Sequence, residues 1–524
     1  MKADFTRATF DKANQFTRVL MQQGRVTLDA DYNEQVEILL HYMRSLARDL
    51  IGPYAAPFHD GGFMIGPDAE GKRILISGGR FYVDGILVEN EETCSYTEQP
   101  HYSLPPGDGL ADFLKTPNPD VAYWLYLDVW ERHVTTIEND AIRELALGGP
   151  DTCTRTKLVW QIKALAVDMP RKSAPFYGGA VSPGLGYERY GAPEMTCEGP
   201  MERLPPSTAR LAARVDPGKK VVDACVTSPD AKFRGLGNQL YRVEIHRGGN
   251  ANEATFKWSR NNGSEVTRWL GRSENGLQVG NSRGFQAGNW VELSDEISDL
   301  QGEPGALVKL TKVEDAVLSF DPSTVPAGGI GEWAKLVKPK VRLWNQTQTE
   351  DIQLLEGAVP IRGQETAGGT DPDHAKWINL EDGIQIAFAA DGDYRAGDYW
   401  LIPARVASGN IEWPAAKETG ELSLQRPRGV EHHYAPLGFV GLDNGKLTRL
   451  KLCWCVFSPN VKCSGITKRG FGLPGLNPFQ PSDSMQTFEV ATPTESLPTI
   501  DTTRAEFIAA PAKRVRRPRK KKPA

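Results

Sequence analysis

Few residues in this chain are spaced for chemistry, and each set can be weighed against what that chemistry needs. Glu431-His432-His433 is the one histidine cluster among eight histidines. Neighbouring residues on a strand point to opposite faces, so this pair cannot chelate one ion without further donors. Asp371-Pro-Asp373-His374 sits in a Gly-rich stretch and reads as solvated turn residues. Cys453-Trp-Cys455 with Cys463 is the closest cysteine group, and its spacing is not the Cys-x2-Cys of a zinc site. Its alternating apolar context puts Cys453 and Cys455 on one strand face, as buried structural thiols. Gly280-Asn-Ser282-Arg-Gly284 fits the Gly-x-Ser-x-Gly elbow, but that elbow needs a following helix and β-like sequence follows here. Gly470-Phe-Gly472-Leu-Pro-Gly475 fits a dinucleotide glycine pattern and runs into Asn477-Pro478 instead of a helix. Gly66 to Lys72 has phosphate-loop spacing, with Arg73 where Ser or Thr is required. Asp128 with Glu131, and Asp391 with Asp393, are carboxylate pairs of the kind common at strand ends and turns; glycoside hydrolysis would need a defined separation. The many Trp and Tyr could stack on sugar rings, but packing between β-layers is their commoner use. The expectation is no catalytic residue, no cofactor and no metal.

The elements that would position any site are clearer than the sites. Residues 31–51 predict an amphipathic helix, with apolar side chains at Val36, Leu39, Leu40, Met43, Leu46, Ala47 and Leu50 in steps of three and four. Asp31 is placed to cap it with Glu34 as reciprocal partner, and Gly52-Pro53 to end it. Such a helix is not very stable alone, so its stripe must pack on something. Two partners are open: the chain's own β-body, or the same helix from other subunits in a two- or three-fold bundle. Beyond it the pattern turns to β. Residues 73–88 read as strand, Asp84-Gly85 turn and strand; Tyr123 to Trp130, Lys157 to Val167 and Asn238 to His246 read as strands. Phe256 to Thr267 reads as a hairpin about Asn261-Asn262-Gly263. Residues 137–147 have room for a short helical turn. Ala287-Gly288-Asn289-Trp290 and Ala396-Gly397-Asp398-Tyr399-Trp400 form a weak internal echo, each at the mouth of an aromatic strand.

Composition agrees. With 524 residues, 52 Gly, 37 Pro, 12 Trp and 15 Tyr, the chain suits several β-rich cores joined by many turns. The expected fold is mainly β with a short N-terminal α-helical segment, multidomain, in small barrel- or sandwich-like modules. The boundaries read as 1–60 arm and helix, 61–170 first β-domain, 171–207 Gly/Pro-rich linker, 208–335 second β-domain, 336–469 third β-module and 470–524 disordered tail. Seven scattered cysteines, an odd number, speak against a disulfide framework. Lys2, Asp4, Arg7 and Asp11 leave no apolar core for a signal peptide, and no apolar run of about 18 residues exists. The chain is expected to be made in the cytoplasm and to leave, if at all, with a particle. Lys513, Arg514, Arg516, Arg517, Arg519, Lys520, Lys521 and Lys522 form a basic run. Without them 53 basic residues face 66 acidic ones, so the body carries −13. The run is a solvated tail, an electrostatic dock onto an acidic neighbour, or a contact for nucleic acid or an anionic membrane.

Several segments together carry a resemblance. They are Met1-Lys-Ala-Asp-Phe-Thr-Arg7, Val19-Leu-Met-Gln-Gln-Gly-Arg-Val26, Leu28-Asp-Ala-Asp31-Tyr-Asn33-Glu34-Gln35, Arg80-Phe-Tyr-Val-Asp-Gly-Ile-Leu-Val88, Gly148-Gly149-Pro150-Asp151-Thr152, Arg234-Gly-Leu-Gly-Asn238 with the strand to His246, and Phe256-Lys-Trp-Ser-Arg-Asn-Asn-Gly263-Ser264. Over roughly residues 1 to 460 the chain resembles an uncharacterised family of phage-tail-like proteins, found with phage tails and bacterial contractile injection systems. The resemblance implies a structural protein of a tail-like particle: a baseplate, adaptor or fibre-like part. It transfers no catalytic residue. Some relatives add a β-helix of the kind seen in fibres and spikes; this chain has a basic tail there instead, which favours a baseplate, adaptor or cap-like role. The alternative is a glycan-binding or glycan-degrading tail or surface protein. The expected partners are other particle subunits, with the chain itself a dimer or trimer. The expected subunit contact is Val36, Leu39, Leu40, Met43, Leu46 and Leu50.

Overall fold

The computed structural model describes residues 1–168, 197, 207–217, 232–273, 276–350, 352–361, 377–414 and 423–457. The described residues all belong to one compact unit. Most of the 171–207 linker, Cys225, Asp371, Asp373, His374, Cys463, the Gly470–Gly475 pattern and the 470–524 tail lie outside the described residues.

The protein is mostly β, with 40% of residues in strands and 14% helical. The longest described strands, Val121–Val134 and Arg155–Asp168, have 14 residues each and form a two-stranded ribbon. They pair without interruption from Val121 opposite Asp168 to Val134 opposite Arg155. Alternation in Val121–Val134 explains its two buried faces. Leu125, Leu127 and Val129 enter the main core with Phe63, Phe81, Trp160 and Ile162, while Trp124 and Tyr126 enter a second cluster on the other side. The strand His433–Asp443 then pairs with Val121–Val134, and Lys446–Leu452 pairs with it in turn. Cys455–Phe457 runs parallel to Tyr54–Pro57 in a neighbouring four-stranded sheet. Residues 433–457 therefore return to the first body.

The second body comprises two sheets sharing one core. Five strands run in the order Val359–Pro360, Thr255–Ser259, Gln239–Arg247, Tyr399–Arg405, Asn410–Ile411. Three more are Ile378–Asn379, Ile384–Phe388 and Leu211–Val215. Tyr241, Phe256, Trp258, Ile384, Ile386 and Trp400 fill the space they enclose. Between its halves lies a closed six-stranded barrel, ordered Val266–Ser273, Gly276–Val279, Val317–Phe320, Ala306–Glu314, Trp290–Ser294, Lys340–Trp344. Closure gives each of the six strands a paired neighbour on both sides.

These pairings redraw three readings. The boundary at 335/336 falls inside the barrel, because Lys340–Trp344 closes it against Val266–Ser273. The described residues of the expected 336–469 module are thus shared among barrel, second body and first body. The turn Asn262-Gly263, both left-handed with φ 50° and 62°, carries the chain from the five-stranded sheet into the barrel; its flanking strands pair with other partners and make no hairpin. Cys453 is not a buried thiol but forms a disulfide with Cys197, 256 residues away. Both pack on the Trp124, Tyr126 and Phe439 cluster, which brings their Cα atoms to 5.4 Å. The internal echo holds locally. Gly288 and Gly397 both have left-handed φ, 91° and 87°, and each leads into a buried tryptophan, Trp290 and Trp400. One strand closes the barrel and the other crosses an open sheet. Residues 137–147 hold two 3-10 turns, Asp140–Ile142 and Leu145–Leu147.

Strand Arg155–Asp168 lies at the end of its sheet, and one side chain substitutes for a missing neighbour. Gln99 Nε2 donates to Ile162 O at 2.8 Å, and Gln99 Oε1 accepts from Ile162 N at 2.6 Å. Replacing Gln99 by Ala orphans a buried backbone donor and acceptor. The variant should lose about 2–4 kcal/mol, measured by urea unfolding; a change below about 0.5 kcal/mol would refute the clamp.

Candidate subunit-contact site

The N-terminal helix, α1, spans Asp29–Ile51. The arm before it runs along its side and ties it down. Thr6 donates through its backbone N and Oγ1 to the Asp29 carboxylate, at 3.0 and 2.6 Å. Burial alone would raise the Asp29 pKa, but the Thr6 hydrogen bonds hold it below the usual value. Thr9 Oγ1 donates to Glu34 at 2.6 Å, and Val19 N donates to the Gln35 side chain at 2.8 Å. The expected Asp31–Glu34 capping box is absent. Leu28 occupies the cap with no side-chain bond, Asp31 lies inside the helix, and Thr9 engages Glu34. The helix does stop at Gly52, whose N–H bonds Arg48 O at 2.8 Å with φ 94°.

The start of the arm is anchored in the second body. Lys2 Nζ lies 2.8 Å from Glu244, Asn262 donates to Ala3 O at 2.8 Å, and Arg242 donates to Met1 O at 3.1 Å. Burial would raise the Glu244 pKa, but Lys2, Arg242 and Lys257 keep it well below the ordinary range. At the other end α1 meets the first body through Arg44–Glu131 at 2.8 Å and Arg48–Asp84 at 3.4 Å. It also presses on the Asp84-Gly85 turn: a Cβ at Gly85 would stand 2.0 Å from Arg44 O.

The contacts of α1 sort by position along a seven-residue repeat. With Val36, Met43 and Leu50 written as a, and Tyr32, Leu39 and Leu46 as d, the most deeply engaged residues fall at b, c and f, with Gln35 at g bonded to the arm and Leu40 at e half-buried. Those at b, c and f are Ala30, Ile38 and Arg44, and Glu34, His41 and Arg48. Ile38 is 1% exposed, whereas Leu39 is 52%, Met43 67% and Leu50 77% exposed. Every a and d side chain is exposed. Of the six residues expected at the contact, five are exposed and Leu40 is half-buried. Tyr32 and Tyr42 fall outside that set although both are exposed; the step of four back from Val36 identifies Tyr32. The arm adds Phe16, Leu20 and Met21, also exposed, and no helical periodicity marks them. The basic run from Lys513 to Lys522 lies outside the described residues.

The residues considered for chemistry are engaged elsewhere. His432 and His433 point to opposite sides, and each, half-buried, meets its own carboxylate. His432 Nδ1 is 2.6 Å from Asp128, and His433 Nδ1 is 3.0 Å from Asp84. Asp128 is also bonded by Lys163 at 2.7 Å. Burial would raise its pKa; His432 and Lys163 hold it below the ordinary value. Asp128 and Glu131 lie on opposite faces of their strand, Glu131 paired to Arg44. Asp391 pairs with Arg210 at 3.0 Å, and the Asp393 backbone N bonds Thr208. Ser282 donates to Asp315 O, and a strand, Trp290–Ser294, is the next element. In the 66–72 hairpin Asp68 accepts from Lys72 N, Arg73 N and Arg73 Nε, so a carboxylate fills the turn. Trp124, Tyr126 and Trp130 are buried between layers. No group of three or more His, Cys, Asp or Glu side chains is placed to hold a metal among the described residues, and no described helix is long and apolar enough to cross a membrane.

Two outcomes are expected. Gly85→Ala forces a side chain into Arg44 O at a left-handed position, φ 80°; it should cost about 1–3 kcal/mol and raise amide exchange along α1 selectively. Unchanged exchange in α1 would sink this account of the mount. Because the folded Asp128 pKa is lowered, its stabilisation is complete above the unfolded carboxyl pKa of about 3.9 and is lost as pH falls through the folded value. Asp128→Asn should therefore destabilise by about 1–3 kcal/mol at pH 7, and the gap to the parent should narrow below about pH 4. A gap independent of pH in urea titrations would count against this pairing.

No curated protein and no solved structure matches the chain. A family model covers residues 1–173 and 202–522, and the chain belongs to that family of unknown function, DUF6519.

Proposed function

We propose that this protein is a structural component of a phage-tail-like particle or contractile injection system, a baseplate, adaptor or fibre-like part that works by protein–protein assembly. The observation that supports this reading most directly is the exposed apolar face of α1, mounted on the protein along its opposite face. Monomeric proteins rarely leave a contiguous apolar patch larger than a few hundred Å2 in water. The segments that carry the tail-like resemblance include the arm and the first turn of α1. They supply Thr6, Val19, Asp29, Glu34 and Gln35, which hold the helix in place. A chain made in the cytoplasm and released with a particle fits that role. The basic run would then dock on an acidic neighbour, a contact weakened by salt.

The test is fractionation of cells that make the protein. Parent protein should sediment with tail-like particles. A Leu39→Glu, Met43→Glu double variant should stay behind while its melting temperature remains within about 2 °C of the parent, because both side chains are already in water. A parent that never sediments with particles would sink the reading. A variant that unfolds would show that the face is core.

A further inference from the structure

The face of α1 also indicates its partner. Tyr32, Val36, Leu39, Met43, Leu46 and Leu50 follow steps of four, three, four, three and four, and all six are exposed. A helix lying on its own β-body needs a broad stripe of period 3.6. A strict period of 3.5 is needed when a helix meets another helix along its whole length. The flanking e and g positions point to the kind of helix. They hold Asn33, Leu40 and Ala47 on one side and Gln35, Tyr42 and Asp49 on the other, with Asp49 the single charge. Partner choice between different helices is usually written there as opposite charges. Here Asp49 alone is charged, and no other flanking position calls for a complementary partner or repels a copy of the same helix. The six side chains together expose an area on the order of the 800 Å2 that each partner gives to a standard stable interface.

Resting on the assembly reading, we infer that α1 is a homomeric coiled-coil element: identical helices from two or three copies of this chain pair in parallel through the Tyr32 to Leu50 seam. In parallel register the g-to-e′ neighbours are Gln35 with Leu40 and Tyr42 with Ala47, pairs without charge. Three heptads are short for a free coiled coil. This helix is already formed and held by its b, c and f residues together with Asp29 and Gln35, which bond the arm, so association does not have to order it.

The test uses the purified full chain. Light scattering should give a dimer or trimer. Leu39→Glu with Met43→Glu should convert it to a monomer with an unchanged far-UV circular dichroism spectrum. Val36→Cys and Leu50→Cys, made singly, should each form a self-linked dimer on mild oxidation that the parent does not form. A monomeric parent at every concentration overturns the proposal, and leaves particle association to be judged by its own fractionation. An oligomer that survives the double variant overturns the seam. An oligomer that dissociates in the double variant, but that neither single cysteine substitution cross-links, overturns the parallel register.

Discussion

Much of the molecule depends on one tight turn. Asp84 and Gly85, with φ 49° and 80°, join two strands of the first body, as two-residue hairpins of this type do. The turn also carries three long-range contacts. Asp84 N donates to Pro53 O at 2.7 Å, just past the end of α1. Its carboxylate lies 3.4 Å from Arg48 on α1 and 3.0 Å from His433 on the strand that returns from the far end of the chain. Gly85 has no side chain where Arg44 O needs the space. One corner therefore fixes the helix, the first body and the returning strand relative to one another. A larger residue at 85 would not simply lose a contact; it would move the helix that the proposed assembly uses.

The nested connectivity places a second demand on buried charge. Where the first body meets the barrel, Arg132 lies within 3.2 Å of Glu296 and Asp299 and also pairs with Glu138, which Lys340 shares at 3.0 Å. Where barrel, second body and arm meet, Lys257 bridges Glu244 and Glu292, and Trp344 Nε1 donates to Glu292 at 2.8 Å. Burial would push the Glu292 pKa up, but Lys257 and Lys2 bring it down to about 2. Buried ion pairs are weak contributors to net stability and costly to break. Their value here is geometric: a misdocked barrel would strand several charges without partners, so the bodies have few alternative arrangements.

Local pattern made part of this legible. The end of α1 at Gly52, the Asp84-Gly85 turn, the long aromatic strands and the chain's mainly β character all follow from residues within a few positions of one another. What local pattern does not carry is long-range. Asp128 and His432 meet across 304 residues, and Asp84 and His433 across 349. Strand alternation puts the two adjacent histidines on opposite faces, yet nothing nearby names the acid each would meet. The Cys197–Cys453 pair is hidden in the same way, since an odd cysteine count argues only about a framework and not about one bridge. The cap at Asp31 fails for a different reason: a local motif loses to a tertiary competitor, because Thr9 claims Glu34. Periodicity finds most of the exposed apolar face of α1, but a stripe read at steps of three and four takes in the half-buried Leu40 and overlooks the exposed Tyr32. Only the structure shows that Ile38 and Arg44 face the protein while Tyr32, Val36, Leu39, Met43, Leu46 and Leu50 stay exposed.

That division of faces bears on why α1 leaves so much apolar surface in water. A helix meant for its own core would present Leu39, Met43 and Leu46 to the β-body and its charges to solvent. Here Arg44 and Arg48 are turned inwards to carboxylates at the protein surface, and the leucines are turned out. Rotating the helix to bury the leucines would break Arg44–Glu131 and Arg48–Asp84 and carry Gln35 and Glu34 away from Val19 and Thr9. The arm and the turn thus act against the hydrophobic effect that would otherwise roll the helix over. Such an arrangement holds a preformed apolar seam away from the chain's own core, where another helix can reach it.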